Sequence, residues 1–467
     1  MADRPEAPTE VEAPATDQKM ADGKALRSEV PRVSHSEWSP PADRPDPVAI
    51  LEAQAAQRLP DLVPIRYGRM LVSPGTFYRG GAGIMAWDLA HTPTTNLRVQ
   101  CCGDAHLLNF GMYAAPDRRM VFDLNDFDET LPASFEWDLK RLVASITIAA
   151  RESGGKAKQA RAAAQTAAAT YQSRIAELAQ MPFLQVWYER TDMTNILSAL
   201  EQSSKEKRLK QTRKVVEKAE GKTNLGALAR YAEKTDQGFK IKSDPPVVDP
   251  IPLEHAAQLK ELVDTAFATY LQTLTPDRRI VISRYHRADF ARKVVGVGSV
   301  GTRAFMMLLM GDRDDDPLFI QFKEAQDSVL EPYAGKSEYL HQGERVVQGQ
   351  RIMQSASDPF LGWATDAIGA KKDYYLRQLR DMKGSINLAK MDAVRIARYG
   401  ALCGAVLAHA HARSGDAAQV AGYIGPGPVF AEALADFGDA YADQNELDFK
   451  ALQDAQKSGR VEVVSGI

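Results

Sequence analysis

The sequence predicts an α+β fold in which a small antiparallel sheet lies between two helical parts of the chain. Residues 136–181 are rich in alanine and repeat apolar residues at three- and four-residue spacing, which indicates helices, and the same spacing returns after residue 391. Residues 289–325 contain three apolar runs separated by glycines and by an acidic turn, a pattern typical of a three-stranded meander. We expect two further strands in the segments SASDPFLGWA and DYYLRQLRDM.

Length and composition indicate an ordinary globular protein. The 467 residues are enough for two or three domains or lobes, and 44% are hydrophobic. A net charge of -3 argues against nucleic acid as the main partner. The chain has no apolar run near the roughly 18 residues of a membrane helix, and its N-terminus lacks the apolar core of a secretory signal. We therefore expect a cytoplasmic protein with no membrane partner.

Changes in composition divide the chain into five segments. Residues 1–25 have no apolar period and predict a disordered tail, and the prolines of residues 26–47 predict an extended arm. Residues 48–280 are assigned to a helical lobe that also carries two polar loops, and residues 281–385 to a β-rich lobe. Residues 386–467 are expected to be helices that complete the helical lobe.

Two polar stretches in the first helical lobe follow predicted strands. CCGDAHLLNFG carries Asp104 and Asn109, and FDLNDFDE begins with Asp123 at the end of an apolar run. Carboxylate and amide oxygens are the ligands that Mg²⁺ prefers, and a carboxylate can orient an attacking hydroxyl. Asp126 or Asp128 could be a second metal ligand, or could replace Asp123 if the strand runs further, and solvated loop acids are an equal alternative for both.

A glycine pattern lies at the start of the predicted meander. Gly296, Gly298 and Gly301 form G-x-G-x-x-G, which alone is a weak signal, since it is shared by dinucleotide-binding turns and by hairpins without a ligand. Here strand-like residues continue beyond it, and the next strand but one ends in Lys323. A glycine-rich hairpin followed by such a lysine is the arrangement by which protein kinases hold nucleotide phosphates.

A lysine at that position needs an acidic partner. Glu344 lies in a segment that can be helical and is the first candidate, with Glu331 and Glu338 as alternatives.

The two polar stretches resemble a known active site. GDAHLLNFG followed by VFDLND resembles the catalytic loop and metal-binding aspartate of the aminoglycoside phosphotransferase and choline kinase group, within the protein-kinase-like superfamily. A longer series of motifs, from PRVSHSEW to YADQ, is similar to one uncharacterised bacterial family of unknown function and covers nearly everything after residue 26.

The resemblance implies a two-lobed kinase-like fold that uses ATP and Mg²⁺. It implies that Asp104 is the catalytic aspartate, that Asn109 and Asp123 bind magnesium, and that Lys323 and the three glycines bind phosphate. The implied partners are a nucleotide, with its adenine near residues 377–379, and an unknown acceptor.

Two features depart from the kinase pattern. Cys102 stands where a histidine commonly precedes the Gly-Asp pair. The glycines and Lys323 follow the catalytic loop by about 190 residues, whereas in kinases they precede it. A circular permutation reconciles the order, because permutation is tolerated where termini lie close together on the surface. It requires Lys323 and Asp123 to face one cleft.

Several functions agree with these motifs. The first is phosphoryl transfer from ATP to a hydroxyl of a small molecule or protein, and its nearest variant is AMP transfer on the same fold. The second is a non-catalytic nucleotide-binding regulator. The third is a metal-dependent hydrolase built on His106 with Asp123, Asp126 and Asp128, which gives the glycines and Lys323 no purpose.

Overall fold

Helices and short antiparallel sheets alternate along the chain, so the α+β class predicted from the sequence is confirmed. A computed structural model describes residues 15–202, 206–250, 256–294, 296–365, 372–379, 382–384 and 386–466. None of the helices in these ranges is long and apolar enough to cross a membrane.

In the described part of the chain, five α-helices precede the first strand: α1 (Thr16–Ala25), α2 (Pro47–Ala55), α3 (Val63–Met70), α4 (Pro74–Gly80) and α5 (Ala82–Ala90). Proline fits the first turn of α2, α3 and α4 because the N–H groups of a first turn have no hydrogen-bond partner within the helix. Ser73 begins α4 with a capping box, in which its hydroxyl accepts the N–H of Thr76.

Two short strand pairs carry the polar loops. The strands are β1 (Arg98–Cys101), β2 (Phe110–Ala114), β3 (Met120–Leu124) and β4 (Leu131–Ser134). β1 pairs with β4 and β2 pairs with β3, both antiparallel. The loop after β1 and the loop after β3 are therefore neighbours, and the Asn125 N–H donates to the Asn109 carbonyl over 2.8 Å.

The middle of the chain is mainly helical: α6 (Phe135–Glu152), α7 (Ala157–Leu178), α8 (Phe183–Tyr188), α9 (Met193–Gln202), α10 (Glu206–Glu220) and α11 (Asn224–Tyr231), then β5 (Ala232–Thr235), β6 (Gly238–Ile241), β7 (Val248–Pro250), α12 (Ala256–Thr273) and α13 (Pro276–Ile282).

Among the described residues, the largest sheet has six antiparallel strands in the order β11-β12-β10-β9-β8-β7. Its remaining strands and the helices around them are β8 (His286–Lys293), β9 (Ala304–Met310), β10 (Pro317–Ala325), α14 (Glu331–Ala334), α15 (Gln342–Met353), β11 (Gly362–Thr365) and β12 (Asp373–Gln378). The meander of β8, β9 and β10 and the later strand β12 lie where the sequence predicts them, whereas β11 overlaps only the last three residues of the predicted segment SASDPFLGWA. Lys323 on β10 is opposite Ala304 on one neighbour and Tyr375 on the other.

Helices cover both faces of this sheet. On one face, Met307 packs in an apolar cluster with Tyr270 of α12. On the other face, Met306 packs in a second cluster with Ala227 of α11. Because both faces are buried, the sequence of β9 is the unbroken apolar run AFMMLLM and does not alternate between apolar and polar residues.

The chain ends in α16 (Ala393–Ala412), α17 (Ala417–Ile424) and α18 (Val429–Lys457), which pack with α6 and α7 around the largest apolar core. Small residues let α16 approach α7 closely: a Cβ on Gly404 would lie 2.5 Å from the carbonyl oxygen of Ala167.

The structure corrects three predicted boundaries. Residues 16–25 form α1 instead of a disordered tail, while residues 1–14 lie outside the described ranges. The predicted extended arm contains two short 3₁₀ turns, at Leu26–Ser28 and Arg32–Ser36. The sheet also recruits β7 and is covered by α11 and α12, so the β-rich part begins before residue 281.

We predict that Gly404→Val lowers the free energy of unfolding by about 2 to 3 kcal/mol, because the new side chain collides with backbone that cannot rotate away. Urea unfolding of the whole chain measures this. Arg398→Leu, at an exposed position of α16, is the matched control and should change stability by less than about 0.5 kcal/mol. Equal stability of Gly404→Val and the wild type would contradict the close approach of α16 and α7.

Candidate functional site

Segments far apart in the sequence line one cavity of about 620 Å³. One part of its wall comes from the loops after β1 and β3, and a second part from the glycine turn between β8 and β9. The predicted site residues in the wall are Asp104, Asn109, Asp126, Gly296 and Gly298.

Lys323 joins the sheet to the loop after β3. Only 3% of this lysine is exposed, and its ammonium contacts the carboxylate of Asp128 and lies 3.9 Å from Oδ1 of Asp126. The Tyr375 hydroxyl donates to the second oxygen of Asp128 over 2.8 Å. Burial acts to lower the pKa of Lys323, but Asp126 and Asp128 together raise it, so the lysine is charged.

Asp126 presents a carboxylate oxygen to this environment. Its Oδ1 is buried and accepts no hydrogen bond from any residue in the described ranges. Burial acts to raise the pKa of Asp126, but Lys323, Arg377 and Lys383 lower it overall, so the group is an anion. A buried anionic oxygen without a donor is suited to a cation.

Asp123 faces another part of the molecule. Its Oδ2 accepts the N–H and the hydroxyl of Ser355, each over 3.1 Å, and its Oδ1 accepts the Leu124 N–H. Burial raises the pKa of Asp123, although Ser355 and the nearby His409 oppose that shift. Neither Asp123 nor Lys323 is among the residues that line the cavity, and the carboxylates at Lys323 are those of Asp126 and Asp128, so the expectation that Asp123 and Lys323 face one cleft is wrong. β3 continues through Leu124, so the first acid at the cavity is Asp126.

Asp104 lies at the cavity with a fixed orientation. Arg141 binds its Oδ1 through Nε at 2.8 Å and Nη2 at 2.7 Å, and 17% of the aspartate side chain is exposed. The Asn109 amide donates to the backbone carbonyl of Asp104 over 2.6 Å, which closes the loop on itself. The carboxylate and the Asn109 side chain are thus held side by side.

Asp138 of α6 braces the same loop. Its carboxylate accepts the N–H groups of Cys102 at 2.7 Å and Gly103 at 3.0 Å, and it lies 3.3 Å from Nε2 of His411. The loop backbone at Cys102 and Gly103, where the kinase pattern commonly has a histidine before the Gly-Asp pair, is thus held by a residue of α6. Asp138 and Arg141 lie in the stretch WDLKRL, one of the motifs of the similar family, but the sequence analysis gave them no role. Charged residues inside a largely buried helix such as α6 are a signal that it could have used.

His106 is a buried, neutral residue that stabilises its own loop. Burial lowers its pKa to about 4, with Arg79 and Arg141 adding to the effect and Asp104 opposing it, so the imidazole is neutral at pH 7. Its Nδ1 accepts the Leu108 N–H over 3.2 Å. Because Asp123 points elsewhere, the structure does not assemble the hydrolase cluster of His106 with Asp123, Asp126 and Asp128.

The expected acidic partner of Lys323 also differs. Glu344 lies in the first turn of α15, but the carboxylates within 4 Å of the lysine in the described ranges are those of Asp126 and Asp128. The alternatives Glu331 and Glu338 do not replace it. The residue of α15 that reaches the loop after β3 is Arg345, which donates to the carbonyl oxygens of Asp128 at 2.8 Å and Thr130 at 2.7 Å.

The glycine turn is positioned over these acids. Gly296 and Gly301 have φ values of +71° and +92°, a left-handed conformation that favours glycine. A Cβ on Gly298 would lie 3.1 Å from the carbonyl oxygen of Arg79, and the Ser299 hydroxyl lies 3.3 Å from Asp128.

The segment expected near adenine also touches the acidic loop. At the end of β12, Arg377 donates to the Asn125 carbonyl over 3.2 Å.

The comparisons with known proteins give one match. A family model described as "Uncharacterized protein conserved in bacteria (DUF2252)" matches residues 58–455. Searches of curated proteins and of solved structures gave no significant match.

Glu129 predicts a pH dependence of stability. Burial raises its pKa to about 7, with Asp128 and Asp104 adding to the shift and the Val329 N–H and Arg345 opposing it. Between pH 4.5 and 7 the folded state holds a proton that the unfolded state has lost, so this group lowers stability as pH rises. Relative to wild type, Glu129→Gln should therefore gain about 2 kcal/mol in free energy of unfolding from pH 5 to pH 8.

Urea unfolding at both pH values checks this prediction. Glu177→Gln, on the exposed side of α7, is the control for loss of a glutamate. A constant difference between Glu129→Gln and wild type across the range would show that Glu129 is not held protonated in the folded protein.

Proposed function

We propose that this chain, which belongs to the DUF2252 family of bacterial proteins, is a magnesium- and ATP-dependent phosphotransferase with a circularly permuted kinase-like fold. The observation that carries the proposal is the meeting of the glycine turn and the Lys323 strand with the loops of Asp104 and Asp126 at one cavity. These segments are about 190 residues apart in the chain, so no local folding rule brings them together.

The order of elements around Lys323 supports the proposal. β8, the glycine turn, β9 and β10 follow one another, and the lysine lies on the third of these strands. In protein kinases a glycine-rich loop covers the nucleotide phosphates and a lysine on the third strand binds them. Gly296, Gly298 and Lys323 would therefore bind phosphate, while Asp128 and Tyr375 hold the lysine in position.

Magnesium fits the acidic side of the cavity. Asp126 would be its main protein ligand, since its buried Oδ1 has no donor in the described ranges, and Asn109 lines the same cavity. When bound, the ion would neutralise charge on the phosphates. Asp123 has no such role in this proposal, because Ser355 and Leu124 occupy its oxygens.

Asp104 would orient the acceptor. In phosphoryl transfer, a bond forms between the acceptor oxygen and the γ-phosphorus, and the bond from that phosphorus to the β,γ-bridging oxygen breaks. The hydroxyl proton passes to Asp104, which Arg141 keeps in a single orientation at the cavity. The products are the phosphorylated acceptor and ADP.

We predict that ATP binds in a magnesium-dependent manner and that Lys323→Met and Asp126→Asn each weaken it at least about tenfold, a loss of 1.4 kcal/mol or more. Calorimetry on the whole chain measures the affinity. Asp123→Asn is the matched control, because it changes a buried aspartate of the same stretch that faces Ser355, and its affinity should stay within about threefold. Absence of nucleotide binding to the wild type would contradict the proposal.

We predict that Asp104→Asn keeps ATP affinity but lowers turnover by about 10² to 10⁴. The measurement is slow ATP consumption with water as acceptor, and mass spectrometry identifies the products. ADP and phosphate agree with phosphoryl transfer, whereas AMP and pyrophosphate would indicate AMP transfer. A wild type that binds ATP without consuming it would instead favour a non-catalytic regulator.

A further inference from the structure

Three arginines from the N-terminal part of the chain line the same cavity. Arg58 follows α2, Arg66 lies on α3 and Arg79 on α4. None of the three has a described carboxylate within 4 Å, unlike Arg141 and Lys323 in the same region. The function proposed above assigns no role to them.

Arg66 is the most constrained of the three. Its exposed fraction is 0%, and one nitrogen, Nη2, donates to Oε1 of Gln54 and to the carbonyl of Gly80, both at 3.0 Å. Its Nε and Nη1 have no hydrogen-bond partner among the residues that the structure describes. Burial and the charge of Arg58 lower its pKa.

The surroundings of Arg66 form a built pocket. A Cβ on Gly83 would lie 2.1 Å from Nε2 of Gln54, so this glycine makes room for the side chain that orients the arginine. Burying a guanidinium without a counter-charge is unfavourable, and a second guanidinium nearby makes it more so. The arrangement is therefore suited to an anion that contacts Arg66.

Arg58 and Arg79 extend the positive surface toward the catalytic loop. Nη1 of Arg58 donates to the Val300 carbonyl over 2.6 Å, while its Nε and the Nε of Arg79 have no partner in the described ranges. Burial lowers the pKa of Arg79, and Asp104 and Asp126 oppose that shift, so this arginine is within electrostatic reach of both acids. The cluster thus adjoins the carboxylate that would orient an acceptor hydroxyl.

We propose that Arg58, Arg66 and Arg79 bind an oxoanion, a phosphate or a carboxylate, and that this group belongs to the acceptor. The identity of the ligand as an acceptor rests on the phosphotransferase proposal, whereas the anion site rests on the arginines alone. The acceptor is then a small hydroxyl compound that carries a negative charge, since a cavity of about 620 Å³ has the size of a small-molecule site. Guanidinium groups bind both oxoanions through paired hydrogen bonds.

The test titrates inorganic phosphate into the whole chain, with saturating Mg²⁺ and a non-hydrolysable ATP analogue present so that all three nucleotide phosphate positions are filled. Wild type should bind phosphate, and Arg58→Gln and Arg66→Gln should each weaken it at least about tenfold. Arg161→Gln, at an ion pair on the surface of α7, is the control and should leave it unchanged. Thermal unfolding checks that each variant is folded. If Arg66→Gln does not fold, the phosphate affinity of Arg58→Gln alone tests the anion site.

The outcomes separate this inference from the function. No phosphate binding by wild type, or binding that ignores both substitutions, would overturn the anion site even if Mg-ATP binds. Loss of affinity for the ATP analogue in parallel with phosphate would assign the arginines to the nucleotide and overturn the acceptor assignment. If wild type binds no nucleotide but binds phosphate alone, and both substitutions weaken that binding, the phosphotransferase proposal fails and the anion site stands.

Discussion

The contact of Lys323 with Asp126 and Asp128 fixes the sheet against the polar loops. It joins residues 195 positions apart in the chain and removes an ammonium group almost fully from water. Breaking a buried charge pair by removing one partner typically costs about 3 to 5 kcal/mol, because the remaining charge is left without compensation. The bond from Tyr375 and the carbonyl contacts of Arg345 give the same junction further support. The cavity exists because this junction holds two separate parts of the chain together.

α6 supplies the second constraint. Most of its residues are buried, yet it carries Asp138 and Arg141, which are satisfied by the loop between β1 and β2. Asp138 holds the loop backbone and Arg141 holds the Asp104 carboxylate, so one rigid helix sets both the shape of the loop and the direction of its acid. This explains how Cys102 can stand at a position where a histidine was expected.

Local patterns predicted much of this architecture from the sequence. The strands β8 to β12, the glycine turn and the long helices could be assigned because apolar period and glycine position are local properties. α1 could not, since it packs through backbone contacts in which a Cβ on Gly23 would lie 2.0 Å from the Gln419 carbonyl oxygen. Such contacts leave no period in the sequence.

The candidate site was predictable only in part. Asp104, Asn109, the glycines and Lys323 have recognisable spacing, but the choice between Asp123 and Asp126 depends on where β3 ends, and strand ends are not fixed by residue type. The assignment of Glu344 to Lys323 failed because the acids that contact the lysine come from the loop after β3, and no pattern along the sequence shows that this loop meets β10. Arg66 and Arg79 lie in the stretches RYGRM and FYRGGAGIMAWDL of the similar family, but their place beside Arg58 at one cavity arises only from tertiary packing.

The charges around the cavity are unevenly balanced, and this constrains the ligand. Arg141 neutralises Asp104 and Lys323 neutralises Asp128 through direct contacts. Among the other charged groups of the wall are a carboxylate oxygen of Asp126 that accepts no hydrogen bond in the described ranges and three arginines without a carboxylate within 4 Å. A single small anion satisfies only the arginines, and a metal ion satisfies only the aspartate. A metal-bound polyphosphate together with an anionic acceptor satisfies both, because each sign of charge on the wall then meets its opposite within one enclosed space.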